Sequence, residues 1–219
     1  MSYDFRLKGL APYVDQLVDG ALTTIELSAS AMAIGLTIGI VCALLKAQGP
    51  RKIQWLINAY VEIIRNTPLL VQCFFVFFGL PSIGIYLTAG QAALIALSVN
   101  LGAYATEIVR AGVESIHRGQ IEAGVSLALR RIQVFRHVIL FPALKNVYPA
   151  LASQFILLLL GSSVVSQISA PELFYTAAFV DSRSFLSFEV YLVVTVAYLV
   201  LALVFRAVLG VVYKLLFRH

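Results

Sequence analysis

Charge is scarce in this chain. Asp, Glu, Lys and Arg make up 12% of 219 residues, whereas 60% are hydrophobic and the mean hydropathy is +0.91. A soluble domain carries about a quarter charged residues. The excess of apolar residues is too large for one soluble core, so the chain reads as a membrane protein built as a single domain, residues 1–219. Cysteine is almost absent: Cys42 and Cys73 both lie in apolar segments and read as small core residues, which excludes a disulfide framework. Histidine is confined to His117, His137 and His219, all outside the apolar runs, and no run contains an aspartate. An intramembrane enzyme needs a nucleophile with its base or a cluster of metal ligands, so that class is set aside and no catalytic or metal-binding residue is expected. A GxxxxGK[ST] phosphate loop is also lacking, because Gly119 and Gly124 are isolated with no Lys-Ser or Lys-Thr after them. The chain is expected to hydrolyse no ATP and to hold no cofactor of its own. The start, MSYDFRLKGLAPYVDQLVDG, is too polar and too acidic for a cleavable signal peptide.

What is abundant is long apolar runs. A spanning helix needs about 20 mostly apolar residues, and five segments qualify: roughly 21–45, 54–80, 88–112, 147–169 and 188–214. This predicts an all-α, polytopic membrane protein. Lys46, Arg51 and Lys52 lie between the first two spans. Arg118, Arg130, Arg131, Arg136 and Lys145 lie between the third and fourth, and Lys214 and Arg218 end the fifth. The opposite loops are nearly free of cations. The positive-inside rule then places the N-terminus outside and the C-terminus in the cytoplasm. Residues 9–19 are expected to form a short helix lying on the outer surface.

The segment 113–146 is too long for a simple turn between packed spans. It is basic and keeps helical spacing, with Ile121, Val125, Leu127 and Leu129 interleaved with Glu122, Arg130 and Arg131. Two occupants suit it equally: a soluble ATPase or regulator, or anionic lipid held by its arginines.

Polar residues interrupt three spans. In EIIRNTPLLVQ, residues 62–72, Glu62, Arg65 and Asn66 share one helical face, and Glu62 and Arg65 are expected to form a structural ion pair. Pro68 has no N–H and leaves the Ile64 carbonyl without its helical partner, a break tolerated where backbone lines a cavity or neighbours satisfy it. In span three Asn100, Tyr104 and Glu107 share a face. In span four Ser162, Ser163, Ser166 and Gln167 do so, although serines there also serve as packing contacts. Three polar faces pointed at one centre would make a path for a small hydrophilic solute, lined by Asn66, Thr67, Gln72, Asn100, Tyr104, Glu107, Ser162, Ser163 and Gln167.

Four stretches carry a family resemblance: DGALTTIELSASAMAIGLTIG, EIIRNTPLLVQ, LGAYATEIVRAGVESIHRGQIEAG and FRHVILFPALKNVYPAL. With them the chain resembles, over nearly its whole length, the permease subunit of a bacterial ATP-binding-cassette (ABC) importer of the polar amino acid group (histidine, glutamine, glutamate and arginine importers). The resemblance implies the type I importer architecture, with a short helix around 121–130 that docks on the ATPase through Glu122, Ala123, Gly124 and Ala128. That favours the ATPase over lipid as occupant of the loop. The family loop begins Glu-Ala-Ala, has Gly four residues later, and then a Pro. Here Gly124 replaces the second Ala, Ala128 the Gly, and Phe141 precedes Pro142. Many members also carry Lys-Asp before the serine pair of span four, where this chain has Leu160 and Gly161, which argues against a cationic substrate side chain.

The resemblance further implies an ATPase dimer that carries the ATP and Mg, a second permease subunit, identical or related, a periplasmic binding protein, and the bacterial inner membrane as location; no nucleic acid is expected. Transport would proceed by alternating access. The competing reading is a secondary transporter or channel driven by an ion gradient, with Glu62 or Glu107 as coupling carboxylate. The 113–146 segment separates the two, because only an ATP-coupled permease needs it.

Overall fold

Every secondary-structure element in this computed structural model, which describes residues 6–217, is helical. A 3-10 stretch, Leu7–Tyr13, runs straight into α1, Val14–Gln48. The expected surface helix at 9–19 is therefore not a separate element but the start of a 42-residue helix. Leu10 and Leu17 hold it down, buried in a cluster with Leu173, Val180 and Val190.

The turn at Gly49 leads into α2, Arg51–Arg65, and then α3, Leu69–Phe74, which continues as a π turn, Phe75–Gly79, and a 3-10 turn, Leu80–Ile83. The two halves are bent by 110° at the break. A capping box of Thr88 and Gln91 starts α4, Ala89–Glu114: the threonine hydroxyl accepts from the Gln91 N–H and the glutamine side chain from the Thr88 N–H, so two orphan donors are satisfied. The loop helix α5 is Arg118–Ser126 and α6 is the single turn Arg131–Gln133.

A π segment, Val134–Leu140, leads into α7, Phe141–Gly161, and a 3-10 stretch, Ser162–Ile168, ends it. The fourth apolar helix thus begins at Val134 rather than 147, and the connection from α4 is shorter than 113–146 suggests. Pro142, in the first turn of α7, supplies no N–H to the turn before it, and that turn takes the wider π pitch. The chain ends with α8, Leu173–Ser184, and α9, Ser187–Leu216.

The centre of the bundle is α4. Of its most apolar stretch 56% is buried, against 6% for α9, whose surface is left for lipid or another subunit. Lipid tails are as apolar as leucine, so close fit rather than water exclusion holds spanning helices together. Small residues provide it: Ser28, Ala31, Gly35 and Gly39 form a stripe along α1 that lies against Leu97, Leu101 and Ala105 of α4. A Cβ on Gly35 would stand 2.8 Å from the Cβ of Leu101, and one on Gly39 would collide with Ala105. Cys73 is fully buried in the same core with Ala96 and Val165.

Candidate functional site

The break in span two is closed by side chains. Pro68 begins α3 and cannot donate to the Ile64 carbonyl. The Gln72 amide reaches back to do so, with Nε2 at 2.8 Å from the Ile64 oxygen, 3.0 Å from the Thr67 oxygen and 2.9 Å from Thr67 Oγ1. Its Oε1 accepts from Asn100 Nδ2 at 3.0 Å, which pins the bend to α4. Asn66 donates to the Glu62 carbonyl and Thr67 to the Ile63 carbonyl, so the last turn of α2 is capped as well. Gln72 is only 9% exposed, so losing its bonds would leave polar groups without partners in a dry place.

The expected Glu62–Arg65 ion pair is absent. Among the described residues no ion pair joins them; α2 ends at Arg65, whose guanidinium lies over the Tyr104 ring at 5.3 Å, while Glu62 is exposed. Glu107 lies two turns beyond Asn100 and is engaged by cations. Lys46 Nζ is 2.7 Å from one oxygen and Arg110 2.8 Å from the other, and Arg110 also bonds Glu114. This cluster ties the end of α1 to α4. A cleft of about 450 Å3 opens beside it, lined by Arg65, Tyr104, Glu107, Arg110, Ser115 and Asn146 together with apolar Ile108 and Val147.

Span four is arranged differently from the expectation. Ser162 is fully buried and donates to the Leu159 carbonyl, so it belongs to the core rather than to a path. Ser163 and Ser166 likewise bond back to their own helix. These local bonds occupy the hydroxyls in the 3-10 stretch, which lies beside α3 through Gly161 and Leu69. Gln167 is exposed. The structure thus gathers Arg65, Asn66, Thr67, Gln72, Asn100 and Tyr104 around the bend, places Glu107 in a neighbouring ion cluster and sets Ser162 apart. An apolar cleft of about 430 Å3, lined by Ile63, Val71, Phe75 and Val99 with Thr67 and Gln72, adjoins the bend.

The loop helix α5 starts where His117 Nδ1 accepts from the Gly119 N–H at 3.1 Å. Glu122 and Ala123 face outward, while Gly124 is buried, and a Cβ on it would stand 3.4 Å from Val134 and Val138. The helix ends in a Schellman motif: the Leu129 N–H bonds the Gly124 carbonyl and the Ala128 N–H the Val125 carbonyl. Ala128 holds the left-handed position at φ +57°, where glycine is favoured. A glycine there, as the resemblance implies, would sit without strain; the alanine of this chain does not. Val125 and Leu127 are 62% and 76% exposed beside this turn.

Sequence reasoning missed several anchors. Tyr60 donates to the Val99 carbonyl at 2.6 Å. Glu172 is fully buried at the N-cap of α8, accepting from the Tyr175 N–H at 2.7 Å and from the Tyr198 hydroxyl. Burial pushes its carboxyl pKa up, and the Tyr198 hydroxyl pulls it partly back. Thr24 of α1 accepts from the Leu173 N–H next to it.

A helical bundle with a side-chain-closed break in its second span and a short exposed helix between its third and fourth defines a permease component of the type I ABC importer class. Residues 35–218 match the model for binding-protein-dependent transport system inner membrane components, and the chain belongs to that family. It is 38% identical over 186 residues to the probable glutamine ABC transporter permease protein GlnM of Bacillus subtilis (strain 168), covering 85% of this chain and 86% of that one. It is 33% identical over 215 residues to the glutamine transport system permease protein GlnP of Escherichia coli (strain K12), covering 95% of each. In structure it superposes on an amino acid ABC transporter crystallised with histidines, with TM-score 0.89, 34% identity and coverage of 98% and 99%. The inward-facing methionine ABC transporter MetNI shares the fold at TM-score 0.74 and 20% identity. The chain is a multi-pass membrane permease subunit, and the ion-gradient alternative falls away.

Proposed function

We propose that this chain forms the path for a neutral polar amino acid in an ATP-driven importer, and that the bend at Asn66–Gln72 against Asn100 and Tyr104 is where the solute passes. The observation that carries the reading is the cluster around Gln72: one buried carboxamide closes a helix break and bonds a second carboxamide on the central helix. Amides, a threonine hydroxyl and the Arg65 cation, which has no carboxylate partner among the described residues, suit both ends of a zwitterion. Leu160 and Gly161 leave no acid for a cationic side chain, and the named relatives that are glutamine permeases agree with a neutral one.

The chain has no phosphate loop, so ATP and Mg belong to a separate ATPase dimer. Glu122, Ala123 and Gly124 lie on the docking helix and Ala128 in the turn that ends it, with exposed Val125 and Leu127 as the apolar contacts. One docking helix per chain and two ATPase subunits require a second permease, identical or related. A periplasmic binding protein delivers the solute to the outer mouth. The N-terminus lies outside and the C-terminus in the cytoplasm of the bacterial inner membrane. ATP binding draws the docking helices together and opens the bundle outward; hydrolysis returns it inward. Solute must contact the two states differently for it to shift them.

The test is ATP hydrolysis by the reconstituted complex with its binding protein across a panel of amino acids. Stimulation by a neutral polar amino acid, lowered by Asn100→Ala, is the expected result. No stimulation by any amino acid in an ATP-competent complex overturns the substrate.

A further inference from the structure

The outward face of α2 carries cations, an indole and aliphatic side chains in sequence, and nothing in the bundle covers it. Arg51 and Lys52 are exposed at its start, Trp55 is 67% exposed, and Leu56 and Ile63 are 59% and 61% exposed. The opposite face, with Ile57 and Val61, is buried in the bundle. A shallow groove of about 600 Å3 is lined by Arg51, Lys52, Trp55 and Leu56.

We propose that this face binds an anionic phospholipid, with the phosphate headgroup on Arg51 and Lys52, the indole of Trp55 at the level of the ester groups, and the acyl chains along Leu56 and Ile63. Three observations carry it. The order of side chains along the helix is the order of parts in a phospholipid. From Lys52 to Ile63 is about 16 Å of helix, close to one leaflet of a hydrocarbon core about 30 Å thick. Finally, the charge at the headgroup end is of one sign: no Asp or Glu occurs between Glu26 and Glu62, Glu62 lies ten residues beyond Lys52, and neither Arg51 nor Lys52 has a carboxylate partner among the described residues. Lys46, the nearest other cation in the chain, is already held by Glu107. Indoles settle at the membrane–water boundary, and Lys and Arg beside that boundary select anionic headgroups. The proposal rests on the membrane reading of the chain, not on its substrate or on which side the N-terminus lies.

Trp55 is the only tryptophan in the chain, so its fluorescence reports this face alone. The full chain is placed in nanodiscs of phosphatidylcholine with a minor share of phosphatidylglycerol, and bromine, a contact quencher, is put on the chains of one lipid or the other. Bromines on phosphatidylglycerol are expected to quench Trp55 at roughly one fifth of the mole fraction needed on phosphatidylcholine. Arg51→Gln with Lys52→Gln should equalise the two lipids while leaving Trp55 quenchable, and Arg51→Lys with Lys52→Arg should keep the preference. Equal quenching in the unaltered chain, a preference that survives the glutamine pair, or a glutamine pair that neither lipid quenches overturns the proposal. So does an unaltered chain that neither lipid quenches, the result expected if a second copy or another protein covers α2. ATP hydrolysis plays no part in this readout, so the substrate reading and the lipid site fail separately.

Discussion

Two of the glutamates that hold the bundle are stabilised in opposite ways. Glu107 joins α1 to α4 with a cation on each oxygen, Lys46 and Arg110, and remains partly solvated. Glu172 joins α8 to α9 with no cation among its bonding partners, fully buried, accepting only from neutral donors. An ion pair at a partly wet site gains little net energy because water screens it. A carboxyl in a dry site whose partners are a tyrosine hydroxyl and backbone N–H groups is a larger commitment, since removing it strands those donors. The end of the bundle near Glu172 is therefore the stiffer one, and the end near Glu107, next to the loop helix, is the more adjustable.

The sharpest way to break this comparison is Glu172→Ala. It should lower stability by about 2–4 kcal/mol, because Tyr198 and the Tyr175 N–H lose a buried acceptor, whereas Glu172→Gln should lose about half as much. Thermal unfolding of the purified protein in detergent checks both. The pH dependence adds a signature. Burial raises the Glu172 pKa on folding, so its contribution is full below the unfolded value and is lost as pH rises through the folded one. The glutamine variant does not titrate, so its deficit relative to the unaltered chain should shrink as pH rises from about 4 towards neutrality. A deficit that is flat or grows with pH would show that the carboxyl is not destabilised by burial.

Next in size is Gln72→Leu, which strands the Ile64 carbonyl and the Asn100 amide. A loss of about 1–3 kcal/mol is expected, with solute-stimulated ATP hydrolysis falling more than basal hydrolysis. A variant that keeps full stimulation would make Gln72 a structural plug and nothing more. Glu107→Gln should lose only about 1 kcal/mol, and the difference should narrow in high salt, where the ion cluster is screened. A loss equal to that of Glu172→Ala would erase the distinction between the two ends. The smallest change is a gain: Ala128→Gly should stabilise the loop by about 0.4–1 kcal/mol, because alanine is strained at φ +57°. Slower proteolysis at residues 126–130 would register it.

The features legible in the sequence are those with a local cause. Apolar run length marked the four long apolar helices and the bent pair between the first two of them, Pro68 marked the break, and the short helix expected around 121–130 lies at 118–126. The misreadings come from partners brought together by folding. Gln72 caps a carbonyl eight residues back, which no helical spacing suggests. Glu62 and Arg65 share a face in an ideal helix, but the helix ends there and Tyr104 offers the arginine its ring. Lys46 and Glu107 are 61 residues apart, and Glu172 meets Tyr198 across a turn between two helices. The early start of the fourth apolar helix was hidden by its π pitch, which breaks the 3.6-residue rhythm over residues 134–140.

The small-residue contact between α1 and α4 has a mechanical consequence. With glycine stripe locked into leucine and alanine, the two helices cannot slide or rotate past one another without collision, so they tilt together as one rod. That rod is long: 26 residues of α4 make about 39 Å. It begins at Ala89, passes Asn100 near its middle and stops at Glu114, four residues before the loop helix opens at Arg118. A tilt of roughly 5° about one end of a rod this long carries the other end about 3 Å, near the diameter of a water molecule. A small angular change at one end of α4 is thereby geared up into a displacement the size of a gate at the other.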